Sequence, residues 1–74
     1  MTHTSKFFKK FFAGLTEVEL AAEKKVMAIT CDVNISTVNH WFRGFRSPSI
    51  PNAKILCEFY NGIALNDLRP DIYD

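Results

Sequence analysis

Residues 28–44, AITCDVNISTVNHWFRG, decide how this chain folds. Asp32-Val33-Asn34 interrupts a helical pattern, and Asp tolerates the left-handed conformation better than most residues other than glycine, so the chain can turn there. Asn34 is then a good N-cap for a helix from Ile35 to about Arg43. Val38, Trp41, Phe42 and Phe45 give that helix an apolar face. Ser36, Asn39, His40 and Arg43 give it a polar one, and Gly44 ends it. The stretch therefore reads as two helices joined by a tight corner.

Moving toward the N-terminus, Thr16-Glu17-Val18-Glu19 is a capping box. The helix it opens can run to about Cys31, and a break near Glu23–Lys24 into two helices fits as well. One apolar stripe is Val18, Ala22, Val26 and Ile29; another is Leu20, Met27 and Cys31. Before it, Thr4 or Ser5 can cap a first helix from about Lys6 to Ala13. Its phenylalanines form two rows, Phe7/Phe11 and Phe8/Phe12, with Lys6, Lys9 and Lys10 on the other side. A basic aromatic helix can lie on a membrane surface, but a chain this short needs those rings in its core.

Toward the C-terminus, Pro51 near a first helical position opens a helix to about Asn61, with Ile55, Leu56, Phe59 and Tyr60 inward. A short turn at Leu65–Leu68 follows, and Pro70 stops it. The expected fold is all-α. It is a small bundle of about five helices in one domain spanning residues 1–74, with a helix-turn-helix at about 24–43.

Composition narrows the function classes. Of the 74 residues 47% are apolar, enough for a real core and too many for a disordered chain. Cys31 and Cys57 form no CxxC pair, and His3 and His40 stand at no metal-ligand spacing from them, so no metal or cofactor is expected. The two thiols read as small buried side chains in a reducing cytoplasm, with a single disulfide left open. No apolar run nears the roughly 20 residues of a membrane span. The N-terminal stretch lacks the apolar core of a secretory signal, and a cytoplasmic protein is expected. Neither a nucleophile–base pair nor a Gly-rich phosphate loop argues for an enzyme. Net charge is +1, but residues 24–54 carry +4, from Lys24, Lys25, Arg43, Arg46 and Lys54 against Asp32. A basic centre in a nearly neutral chain can still meet phosphate, because the local field decides.

These positions match what DNA reading asks of a helix pair. A small residue is needed where the helices cross, and Ala28 is there; Asp32 is at the corner; Val33, Val38 and Trp41 anchor the second helix. Asn34, Ser36, Thr37, Asn39, His40 and Arg43 supply groups that meet base edges and phosphates, with Arg46 just beyond. The run Asp32 to Gly44 resembles the "GVSxxxVSxWxxG" core of Cro-type phage repressors and of YdaS-like prophage regulators. Arg46 and Pro48 look like the "R.P" that follows in YdaS-like proteins, and Leu68-Arg69-Pro70-Asp71-Ile72-Tyr73 is similar to their "LRPDIY" ending. The likeness covers about residues 24–73, with Asp32 where those proteins usually have Gly. It implies a lambda-repressor-like domain of five helices that regulates transcription, often as a homodimer, by binding operator DNA in the major groove. By position it assigns the contacts to Asn34, Ile35, Ser36, Asn39, His40 and Arg43. The competing expectation is an antitoxin-like or anti-repressor module with the same fold and a protein partner, which the near-neutral charge supports.

Overall fold

Five α-helices lie within residues 3–72, the part of the chain that the computed structural model describes; Tyr73 lies outside it. They are α1 (His3–Phe11), α2 (Glu17–Cys31), α3 (Ile35–Arg43), α4 (Ile50–Phe59) and α5 (Leu65–Leu68). No strand occurs among the described residues. The Cα radius of gyration, 11.2 Å, is what one compact body of this length has, about 11 Å.

Helix α1 begins earlier and ends sooner than its residues suggest. Thr4 and Ser5 do not cap it; both lie inside it and are fully buried. The reason is tertiary: α1 packs on α5, and Thr4 Oγ1 donates to the Leu68 carbonyl at 2.9 Å. A short polar side chain is buried there because a partner carbonyl satisfies it. Phe8 and Phe12 face the core, whereas Phe11 lies at its edge.

Helix α2 is one continuous helix, so the break at Glu23–Lys24 is not made. Its capping box is complete: the Glu19 N–H donates to Thr16 Oγ1 at 3.2 Å, and the Thr16 N–H donates to Glu19 Oε1 at 3.0 Å. Those bonds to the charged form hold the Glu19 carboxyl below its ordinary pKa. Met27, Ala28 and Cys31 turn inward. The other stripe is not core: Val18 is 80% exposed, Ile29 81% and Val26 41%. Small Ala28 and Cys31 allow close approach of the neighbouring helices, which bulky Val18 and Ile29 would hold apart.

Helix α3 is buried through Val38, Trp41 and Phe42. The Phe42 ring stacks on Phe8 with centroids 4.6 Å apart and on Phe12 at 5.8 Å. Ser49 caps α4, its Oγ accepting from the Asn52 N–H at 3.4 Å, and Pro51 stands in the first turn as expected. That helix stops at Phe59, two residues short of Asn61; Leu56 and Ala53 are buried, while Phe59 is half exposed. Tyr60 leaves the helix in extended conformation and donates its hydroxyl to Glu23 Oε1 on α2. Burial first, and then that carboxylate, push the Tyr60 phenol well above its ordinary pKa.

The short motifs at 46–48 and 68–71 meet in space. Arg69 Nη1 donates to the carbonyl of buried Pro48 at 3.2 Å. Arg69 also holds Asp71 with two parallel bonds, 3.0 and 2.8 Å, which lower the Asp71 pKa. Among the described residues no helix is long and apolar enough to cross a membrane.

Candidate nucleic-acid interface

The corner between α2 and α3 is built from three residues. Asp32 adopts the left-handed conformation, φ 54° and ψ 51°. Its N–H donates to the Ile29 carbonyl at 3.2 Å, and the Val33 N–H donates to the Ala28 carbonyl at 2.9 Å. That pair of bonds is a Schellman closure, which satisfies carbonyls the helix end would leave open. Val33 packs against the core, and Asn34 starts α3 in extended conformation. The Asn34 side chain accepts no capping bond, so its amide stands exposed at the head of α3. At the other end Gly44 takes φ 84°, and its N–H and that of Phe45 both donate to the His40 carbonyl at 3.0 Å.

Between these ends α3 divides cleanly. Ser36 and Arg43 are exposed; Thr37, Asn39 and His40 are half-buried; Ile35 is exposed at the helix start. Ser36, His40 and Arg43 follow i, i+4, i+7 spacing, which lines them along the side away from Val38 and Trp41. Asn39 stands beside them. Arg46 is exposed in the loop beyond. All eight residues expected at the site thus lie on α3 or its flanks, with Thr37 at the margin. Phe45 departs from expectation: it is 69% exposed because the left-handed Gly44 turns the chain before it can reach the core. Its ring meets His40 edge-on, centroids 5.7 Å apart.

Two residues not assigned to the site on sequence join it from α2. A groove of about 320 Å³ runs between the helices, lined by Leu20, Ala21, Lys24 and Lys25 of α2 and by Ile35 and Asn39 of α3, with Glu17 at its end. The Lys24 ammonium lies 4.7 Å from the centre of the Phe42 ring, a cation–π contact that fixes this charge beside α3. Lys24 and Lys25 thus lie along the side of α3 that carries Ile35 and Asn39, with Glu17 at the groove's end, while Arg43 and Arg46 stand exposed at and beyond the C-terminal end of α3. The signal of the two lysines in the sequence was the basic central third; assigning them to this face needed the crossing of the two helices.

Elsewhere the chemistry is quiet. Both cysteines are free, Cys31 buried and Cys57 half-buried. Burial raises both thiol pKa values, for Cys57 together with the nearby Asp67 and Glu58 carboxylates. Raised thiols are poor nucleophiles at neutral pH. Among the described residues no group of three or more His, Cys, Asp or Glu is gathered for a metal. Comparison of the chain with protein-family models, with curated proteins and with solved structures finds no match.

Proposed function

We propose that this chain is a sequence-specific DNA-binding regulator of transcription, of the Cro-type and YdaS-like kind. In this reading residues 24–43 act as a helix-turn-helix, with α3 as the helix that enters the major groove. One observation carries it: α3 is held from behind by Val38, Trp41 and Phe42 and leaves Ser36, Asn39, His40 and Arg43 together on its open side. Asn39 suits adenine N6/N7 and Arg43 suits guanine O6/N7. Lys24 and Lys25, with Arg46, suit phosphates flanking the groove. Two copies on a palindromic operator would set their α3 helices about 34 Å apart.

A protection assay on DNA upstream of the reading frame tests this. The expected result is a discrete protected site whose affinity falls steeply with salt. Asn39→Ala and Arg43→Ala should each weaken operator binding by about 1–3 kcal/mol, whereas Lys25→Ala should weaken all sequences alike. Unchanged operator binding by the double variant Asn39→Ala/Arg43→Ala would sink the assignment of the reading face.

A further inference from the structure

We infer that the outer face of α2 is the surface through which two copies of this chain pair, side by side and parallel. Val18, Ala22, Val26 and Ile29 stand at spacings that put them on one side of the helix. All four are exposed, although the opposite side of the same helix supplies Met27, Ala28 and Cys31 to the core. A helix that is apolar on two opposite sides calls for a neighbour on each.

The charges along this face fit a second copy of the same helix. Exposed Glu19, one oxygen of which closes the capping box, borders the stripe on one edge, and exposed Lys25 borders the other; Glu23 beyond Glu19 is turned to Tyr60. A two-fold axis running along the helices sets the acidic edge of each copy against the basic edge of its mate. An antiparallel arrangement would set acid against acid. The face is thus complementary to itself, as a symmetric dimer contact must be. Ala22 at its middle lets the two axes approach. Four side chains fall well short of the about 800 Å² per partner of a lasting interface, so the free dimer is a weak one. The pairing does not depend on the dimer expected on DNA. A chain that pairs through α2 and binds no DNA would refute the proposed function and leave this inference standing.

Sedimentation equilibrium of the full chain, free of DNA and in reducing buffer, tests it. Self-association is expected with a Kd of about 100 µM. Val18→Lys and Ile29→Lys, each confirmed folded by its circular dichroism melt, should weaken it at least about tenfold. Lys25→Glu should weaken it about threefold by opposing like charges. Phe45→Lys, an exposed aromatic beyond α3, should leave it unchanged. Under mild oxidation Val18→Cys should crosslink, because a parallel pair sets residue 18 against its own copy. A chain that stays monomeric to about 1 mM, a Kd unmoved by Val18→Lys and Ile29→Lys, or a Val18→Cys that does not crosslink overturns the inference.

Discussion

Helices α2 and α3 sit on either side of one corner and use their apolar residues in opposite ways. Helix α3 has nine residues, and its bulky apolar side chains Val38, Trp41 and Phe42 share one arc. One contact with α1 and α2 takes them all. Helix α2 has fifteen residues and apolar groups on two arcs, of which the core takes the one containing Met27, Ala28 and Cys31. Burial is therefore set by which arc lets the neighbours close in, not by which arc is more apolar. Small side chains at the crossing win over β-branched ones because dispersion contacts are lost steeply with separation.

Substitutions on the two helices test this contrast. The largest effect belongs to the inner side of α3. Trp41→Ala should cost about 3–5 kcal/mol, much of the roughly 4–11 kcal/mol that a chain of 74 residues holds, and urea unfolding should find it largely unfolded. Next comes the corner, where φ is 54°. Asp32→Val places a branched side chain in the left-handed region and should lower stability by about 1–2 kcal/mol, while Asp32→Gly should change it by less than about 1 kcal/mol. A melt of Asp32→Val as stable as the parent would mean that the corner carries no strain.

Smaller still is the alkaline response of the contact between α2 and Tyr60. The folded phenol has its pKa raised above the ordinary value of about 10, so its contribution is complete below that value. Above it the unfolded chain loses the proton first, and stability falls as pH rises. Thermal melts from pH 9 upward should fall less steeply in Tyr60→Phe than in the parent, because only the raised thiols of Cys31 and Cys57 then remain to lose protons first in the unfolded chain. The smallest effect belongs to the outer side of α2. Val18→Ser or Ile29→Ser, in dilute monomer, should move stability by no more than about 0.5 kcal/mol, and a change of 2 kcal/mol would show that this side is packed.

The same physics explains what could be read in advance. The C-terminal boundary of α3 was legible because Gly44 acts locally, and so were the capping box of α2 and the turn Leu65–Leu68; α3 starts after Asn34 as expected although that side chain makes no capping bond. The polar face of α3 followed from helical periodicity alone. Thr4 and Ser5 misled because a residue typical of caps can equally be buried by a distant carbonyl, here that of Leu68. The Val18–Ile29 stripe misled because periodicity reports an arc and not its neighbour. Phe45 and Phe59 each lie at or beyond a helix end, where the helical register no longer says which way a side chain points. Lys24 and Lys25 reach the α3 face only through the angle at which two helices cross, which no stretch of residues encodes by itself.

The hydrogen bond from Thr4 to the Leu68 carbonyl joins positions 64 apart, α1 to α5. It makes α5 the latch on α1. While the chain is being synthesised, the buried Thr4 hydroxyl of α1 has no partner until α5 has been made, after the rings of Phe8, Phe12 and Phe42 are all in the chain. Closing so long a loop costs more chain entropy than the contacts between consecutive helices do. A circular permutant that joins the two ends and opens the 45–49 loop should turn that late step into an early one, and it should fold faster than the parent.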